Sequence, residues 1–230
     1  GDFKVQNLAN TAWAFATASQ QDAQLFAMLA RSAELRLGDL KVEYLANTAW
    51  AFATASQSDA QLFAALARMA ELRPSNFNVQ SLANTAWAFA TASQSDAQLF
   101  AALARVAELQ LGNFNVQNLV NTAWAFATAS SSDAQVFAAL ARAAELRLSH
   151  FNMRALANTA WAFAMAAQSD AQLFAALART AERHPGDVNV QNLTNTAWAF
   201  ATASQQDAPL FAALARAAKL RLCDFEVQGL

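Results

Sequence analysis

The side chains with recognition chemistry in this chain are amides that stand at fixed distances before six tryptophans. An asparagine lies three residues before each tryptophan, and further polar residues lie six and seven before it. A carboxamide offers donors and an acceptor, functions that the edges of nucleic-acid bases also present. An identical residue in every copy suits a feature common to all ligands, or it joins neighbouring copies in a hydrogen-bonded ladder; the sequence leaves both open. The asparagines are Asn10, Asn47, Asn84, Asn121, Asn158 and Asn195.

The polar positions before the asparagine differ from copy to copy. Seven residues before the tryptophan stand Gln6, Glu43, Gln80, Gln117, Arg154 and Gln191. Six residues before it stand Asn7, Tyr44, Ser81, Asn118, Ala155 and Asn192. Variation of two or three side chains per unit is typical of proteins that read one base with each repeat; the alternative is drift at a tolerant exposed site. Tyr44 is suited to stacking on a base, and Lys4, Lys41 and Arg154 to phosphate contacts on the same edge.

Catalytic and metal-binding patterns are missing from the sequence. His150 and His184 are the two histidines, and Cys223 is the single cysteine. These residues form no metal-ligand spacing and no nucleophile–histidine arrangement, and no glycine-rich phosphate loop occurs. We therefore expect a protein that is not an enzyme and that uses neither a metal nor another cofactor.

The aromatic residues recur as strictly as the asparagines. The tryptophans are 37 residues apart, and a phenylalanine follows each of them at two and at thirteen residues. Aromatic side chains at fixed positions among alanines usually fill a core, so we expect buried rings. For the tryptophans the alternative is a stacking platform for bases. The tryptophans are Trp13, Trp50, Trp87, Trp124, Trp161 and Trp198.

The 37-residue period predicts an array of small helical units. In the third copy, apolar residues fall at helical spacing over residues 79–92, after Asn78 at the N-cap position. A polar turn and Asp96, which recurs in every copy, precede a second helix over residues 97–110. Gly112 then marks the end of that helix. The fold class that we predict is all-α, an α-solenoid of six 37-residue helix-turn-helix repeats with the start of a seventh.

The whole chain, residues 1–230, is predicted to be a single repeat array. Units of this kind bury their apolar faces by stacking on their neighbours. Both ends lack a polar capping unit, so we expect a piece of a longer array that self-associates end to end. No apolar stretch is long enough to span a membrane. The predicted units are 3–39, 40–76, 77–113, 114–150, 151–187 and 188–224, and residues 225–230 begin a partial unit.

The charges of the chain are few and nearly balanced. A net charge of −2 argues against a general polyanion binder, whose surface would be strongly basic. An arginine recurs three residues before a glutamate in the second helix, as Arg68 and Glu71 show. This spacing predicts ion pairs on a solvated helix face. The acidic balance favours a protein partner, whereas the polar residues of the first helix favour RNA.

The string Leu-Ala-Asn-Thr-Ala-Trp-Ala-Phe-Ala, a short polar turn and a second helix rich in Ala and Leu resemble the octotricopeptide repeat proteins. The 37-residue period is closer to the related heptatricopeptide repeats, which share a Leu-x-Asn-x-x-Trp-x-x-Ala core with FAST-kinase-like helical repeats. The resemblance covers all six copies. It implies an organellar RNA-binding superhelix, in chloroplast or mitochondrion, that acts in transcript stability, processing or translation. It also implies that the first helices line the RNA-facing side, with about one nucleotide per repeat.

Two functions are therefore predicted. The first is binding of single-stranded RNA by first-helix side chains, and the alternative is a protein-interaction scaffold of the tetratricopeptide or HEAT type. The predicted RNA-binding residues are Lys4, Gln6, Asn7, Asn10, Lys41, Glu43, Tyr44, Asn47, Gln80, Ser81, Asn84, Gln117, Asn118, Asn121, Arg154, Asn158, Gln191, Asn192 and Asn195.

Overall fold

A computed structural model describes residues 4–131, 133–183 and 189–228 of the chain. Within these ranges the regular elements are all helices, which confirms the predicted all-α solenoid. None of them is long and apolar enough to cross a lipid bilayer. The first helices of the units are α1 (Val5–Thr17), α3 (Val42–Thr54), α5 (Val79–Thr91), α7 (Val116–Thr128), α9 (Met153–Met165) and α11 (Val190–Thr202). The second helices are α2 (Ala23–Glu34), α4 (Ala60–Leu72), α6 (Ala97–Leu109), α8 (Ala134–Glu145), α10 (Ala171–Glu182) and α12 (Ala208–Gln228).

Four short 3-10 helices connect one unit to the next. They are η1 (Leu37–Asp39), η2 (Pro74–Asn76), η3 (Leu111–Asn113) and η4 (Leu148–His150). Residues His184 and Gly186, which belong to the corresponding connection before α11, lie outside the described residues.

Most helices begin at a residue whose side chain accepts backbone hydrogen bonds. Asn78 Oδ1 accepts a bond from the N–H three residues on, at 2.8 Å, at the start of α5. Asp96 Oδ1 accepts bonds from the N–H groups two and three residues on, at 2.9 and 3.0 Å, at the start of α6. The predicted caps are thus confirmed, and the carboxylate also interacts favourably with the helix dipole. Helices α1 and α3 follow Lys4 and Lys41, whose side chains form no cap bond.

The turn after each first helix holds one residue in the left-handed conformation. Ser93 has a φ of 56°, its N–H donates to the carbonyl of Ala90, and the N–H of Gln94 donates to the carbonyl of Phe89. These two bonds define a Schellman motif, which satisfies the last carbonyls of the helix. The prediction that Gly112 is the helix-ending residue is wrong, because it lies within η3 and its φ is not positive. The other left-handed residues are Ser19, Ser56, Ser130, Ala167 and Ser204.

The first helices form one layer of the array and the second helices form the other. Neighbouring first helices, such as α3 and α5, pack much more closely than neighbouring second helices, such as α4 and α6. Ala83, Ala86 and Ala88 of α5 are completely buried, and side chains of this size let helix axes approach. Because the first helices are the more closely spaced, the array curves towards their side.

Paired phenylalanines join each unit to the next. Phe63 of α4 meets Phe89 of α5 edge to face, with ring centroids 5.0 Å apart, and both rings are buried. Edge-to-face pairs are favourable beyond the apolar area that they bury. The predicted burial of the phenylalanines is confirmed for these pairs. The equivalent pairs, at 5.0–5.1 Å, are Phe26–Phe52, Phe100–Phe126, Phe137–Phe163 and Phe174–Phe200.

A side chain at the end of the second helix binds the connection of the preceding unit. Arg73 donates from Nη1 to the carbonyl of Leu40, at 2.6 Å, and from Nη2 to that of Gly38, at 2.8 Å. Arg147 binds η3 in the same way, and Gln110 donates to the carbonyl that directly follows η2. These bonds satisfy carbonyls of an irregular segment and use cationic groups that would otherwise be available to a ligand.

Ion pairs between the recurring arginines and glutamates were expected, and this expectation is wrong. In the described part of the chain no such pair comes within 4.0 Å, and Arg68 and Glu71 are among those that stay apart. Glu145 instead accepts a hydrogen bond from Gln172 Nε2 of the next unit, at 3.2 Å. Four of the glutamates are half-buried, whereas the arginines three residues before them are exposed; these glutamates are Glu34, Glu71, Glu108 and Glu145.

The last helix differs from the other second helices in length. Helix α12 continues to Gln228, through the region where the sequence predicts a connection and the start of a seventh unit. In other units the carbonyls of the connection are bound by a side chain of the following unit. In the last unit the corresponding residues are part of α12 instead.

Candidate nucleic-acid interface

The solvent-facing side of each first helix carries four residues in a line, which we call the first-helix stripe. They lie seven and three residues before the tryptophan, at the tryptophan, and four residues after it, so that about 100° of rotation per residue brings them onto one face. Each of them is exposed or half-buried. The stripe consists of Gln6, Asn10, Trp13, Thr17, Glu43, Asn47, Trp50, Thr54, Gln80, Asn84, Trp87, Thr91, Gln117, Asn121, Trp124, Thr128, Arg154, Asn158, Trp161, Met165, Gln191, Asn195, Trp198 and Thr202.

The position six residues before the tryptophan does not belong to this face. Ser81, Asn118 and Asn192 are 5–9% exposed, Ala155 is buried, and Tyr44 is half-buried against the core. Ser81, Asn118, Asn192 and Ala155 therefore offer little surface to a ligand, whereas Asn7, in the first unit, is exposed. The role of this position in binding stays a prediction. A residue that follows the first member of the stripe by one position points about 100° away from the stripe around the helix axis. This direction leads towards the neighbouring first helix.

The tryptophans lie at the boundary between core and solvent. The predicted burial is correct in part: Trp87 is half-buried and packs against the core, but Trp13 is 49% and Trp198 42% exposed. The rings of Trp50 and Trp87 have centroids 6.3 Å apart and are inclined by 31°. Trp161 and Trp198 are similar, at 6.4 Å and 32°. The indole rings are therefore in contact at two places along the first-helix stripe. We call the row of six tryptophans on the stripe the aromatic ladder.

The asparagines of the stripe do not join neighbouring units. Asn121 Oδ1 accepts a hydrogen bond from Gln117 Nε2, at 2.8 Å, within the same helix. Among the described residues no hydrogen bond links two asparagines of the stripe, so the inter-unit ladder considered from the sequence is wrong. Asn84 and Asn158 are half-buried beside the tryptophans and keep their donors and acceptors available to a ligand.

The first-helix stripe is polar but carries little charge. Within it, Glu43 and Arg154 are the charged side chains, and both are exposed. Lys4 and Lys41 are also exposed, two residues before the first member of the stripe in their units. The recurring arginines of the second helices, such as Arg105, lie in the other layer. The stripe therefore suits ligand groups that are flat and uncharged, with phosphates contacted at a few points.

The described part of the chain consists of two layers of paired helices that repeat at a constant period, with a tryptophan at the same place in each unit. This arrangement defines an α-helical repeat protein. Among known families, the model of the RNA-editing substrate-binding complex 6 protein (RESC6) matches residues 1–230. The chain belongs to this family. A search of the curated proteins found none that matches the sequence. The resemblance inferred from the repeats is confirmed at the level of a helical family associated with RNA, and the narrower octotricopeptide or heptatricopeptide assignment stays a prediction.

Proposed function

We propose that the chain binds single-stranded RNA along the first-helix stripe, with about one nucleotide per unit, and that it acts without catalysis as a substrate-binding part of an RNA-processing assembly. The observation that carries this proposal is the aromatic ladder flanked by amides that have no inter-unit partner. The description of the family, which names an RNA-editing substrate-binding complex, supports the same function. The place of action that we propose is organellar transcript processing, on the resemblance to organellar repeat proteins.

The spacing of the tryptophans favours an unstacked single strand. Bases stacked in a helix follow one another every ~3.4 Å along a strand. One base per unit therefore has to be separated from its neighbours, since the indole rings of Trp50 and Trp87, which belong to successive units, lie 6.3 Å apart. A base that is sandwiched between two rings needs parallel rings whose planes are separated by roughly twice the ~3.4 Å stacking distance. The two indole rings are inclined to each other, so they do not form such a slot. We therefore propose that bases lie against the exposed side of the ladder, where stacking on an aromatic ring contributes about 1–3 kcal/mol per base.

Anisotropy titrations with short labelled RNA pools test this proposal. The double variant Gln80→Ala with Asn84→Ala removes two solvent-facing amides of one unit, and we expect about a tenfold loss of affinity. The matched control, Gln98→Ala with Arg105→Ala, removes two exposed side chains of the adjacent second helix. Because the stripe has few cations, the affinity should fall only shallowly as salt is raised. An equal loss in the control, or no binding of any pool, would contradict the proposal.

An alternative function, scaffolding of protein partners, is favoured by the second helices. Leu35, Leu72, Leu109 and Leu146 occupy one position of the repeat and are 75–86% exposed. Exposed apolar side chains in a row are typical of protein-interaction surfaces. The triple variant Leu72→Ser, Leu109→Ser and Leu146→Ser tests this function: loss of a co-purifying partner with RNA affinity unchanged would assign protein binding to this face, and loss of RNA affinity would argue against it.

A further inference from the structure

The units differ from one another at very few exposed positions of the first-helix stripe. The asparagine and the tryptophan of the stripe are the same in all six units. The last member of the stripe, four residues after the tryptophan, is threonine in every unit except the fifth, where it is Met165. The varying position six residues before the tryptophan is buried in most units. What remains is the first member of the stripe, which is glutamine in four units, Glu43 in the second and Arg154 in the fifth. If the units differ in the base that they prefer, this position has to carry the difference.

We infer that the second unit selects guanine through Glu43, that the fifth selects guanine through Arg154 on the opposite edge of the base, and that the four units with glutamine select adenine. This inference rests on the proposed RNA-binding function. It adds the identity of the bases and the residue that discriminates between them.

Glu43 presents an acceptor where the other units present an amide. Its side chain is exposed in the first turn of α3, one helical turn before Asn47, and no described residue binds it. A carboxylate has acceptors only, so its two oxygens match the adjacent N1–H and N2–H donors on the Watson–Crick edge of an unpaired guanine. It is repelled by the carbonyl oxygens of uracil and by the ring nitrogen beside the amino group of cytosine.

Arg154 presents the opposite chemistry in the fifth unit. Its side chain is exposed at the start of α9, one turn before Asn158, and no described residue binds it. A guanidinium has donors only, in a planar fork that matches the O6 and N7 acceptors of guanine. Met165 at the other end of the same stripe is 47% exposed and adds apolar surface for a purine.

The glutamine units combine a donor and an acceptor. Gln117 Nε2 donates to Asn121 Oδ1 at 2.8 Å, and this bond holds the two amides side by side. The pair keeps the Gln117 carbonyl oxygen as an acceptor and the Asn121 amino group as a donor. That combination matches the amino group and the ring nitrogen of adenine, the base that amide side chains recognise through two bonds.

The inference predicts the sequence of the preferred RNA. Units two and five are separated by two glutamine units, so the bound hexanucleotide is A-G-A-A-G-A, which reads the same with the strand in either direction. At the second and fifth positions the preferred base should be favoured over the others by about tenfold.

Selection from a randomised single-stranded RNA pool, followed by sequencing, tests this on the full chain. The variants are Glu43→Gln and Arg154→Gln, which convert the special units to the common type. We expect the first to replace guanine by adenine at one position, and the second to replace guanine by adenine three positions away. The matched controls are Glu108→Gln and Arg142→Gln, which make the same charge changes on second helices.

The outcomes separate this inference from the proposed function. A motif that shifts at one position per variant and stays constant in the controls supports the assignment. RNA binding with an unchanged preference in both variants, or an equal change in the controls, overturns the assignment and leaves RNA binding in place. No selected RNA from the wild-type chain overturns the proposed function itself. Circular dichroism melts of each variant check that the fold is retained.

Discussion

The two layers of the array present apolar side chains to solvent in different ways. On the first helices, the rings of Trp50 and Trp87 touch each other across two units. On the second helices, Leu72 and Leu109 are 75% and 86% exposed and stand apart from the core. The first helices pack closely, whereas the second helices are further apart.

The difference follows from the size of the side chains between the helices. Alanines such as Ala83 and Ala86 let the first helices approach, and two pairs of repeated rings come into contact, Trp50 with Trp87 and Trp161 with Trp198. The second helices pack less closely, and their repeated leucines stay exposed. The same repeated sequence therefore gives neighbouring aromatic side chains in one layer and separate exposed leucines in the other.

The largest effect that we expect contrasts the buried contact between units with the outer surface. Phe89→Ala removes one ring of the pair with Phe63, and core truncations of this kind cost about 3–5 kcal/mol of the unfolding free energy. Leu109→Ala, on the outer surface, should stay within about 0.5 kcal/mol. Urea denaturation followed by circular dichroism measures both. A similar cost for both variants would show that the outer leucines are packed and would remove the contrast between the layers.

The next effect separates the two faces by their affinity for RNA. Trp87→Leu keeps apolar packing but removes the ring, and we expect the RNA-binding free energy to weaken by about 1–3 kcal/mol, the worth of one stacked base. Arg105→Ala on the second helix should weaken it much less. Anisotropy titrations at constant salt compare the two variants. If Arg105→Ala has the larger effect, RNA follows the outer face and the assignment of the stripe is incorrect.

A smaller effect compares equivalent threonines within the first-helix layer. Thr85 Oγ1 is buried without a hydrogen-bond partner among the described residues, whereas Thr122 Oγ1 donates to the carbonyl of Asn118 at 2.7 Å. Thr85→Val should therefore raise the unfolding free energy by about 1 kcal/mol, and Thr122→Val should lower it by about 0.5–1 kcal/mol. Thermal melts of the two variants give the comparison, and effects of the same sign would contradict it.

The sequence was sufficient to predict the helices, because their caps are local. Asn78 and Asp96 each bind N–H groups within three residues, so their role can be read from spacing alone. The faces of the first helix were harder to assign. A tryptophan among alanines indicates burial, yet Trp87 lies on the same line as Gln80, and Ser81 turns towards the neighbouring helix. Which side is covered depends on how closely units pack, and the sequence of one unit does not contain that distance.

The bonds between units were also beyond the sequence. Arg73 binds carbonyls of residues 38 and 40, more than thirty residues earlier, and no local pattern distinguishes it from a solvent-facing arginine such as Arg68. The recurrence of arginine or glutamine at this position was the available signal. It pointed to a role repeated in several units, but the partner became visible only in the stacked array.

The smallest effect concerns the groove between second helices, where the carboxyl groups of Glu71 and of Asp96 in the next unit interact. Burial raises the pKa of Glu71 above its usual value of 4.5, the carboxylate of Asp96 in the next unit raises it further, and Arg68 opposes both. Since the folded chain holds this proton more tightly than the unfolded chain, the ionised carboxylate lowers stability as the pH rises through the folded pKa.

Glu71→Gln should therefore raise the melting temperature at pH 7 and leave it unchanged at pH 3, where the carboxyl group is neutral in both states. Arg68→Gln should have the opposite effect at pH 7. Melts at the two pH values measure this, and a shift from Glu71→Gln that is equal at both would show that packing, rather than the charge in the groove, sets the effect.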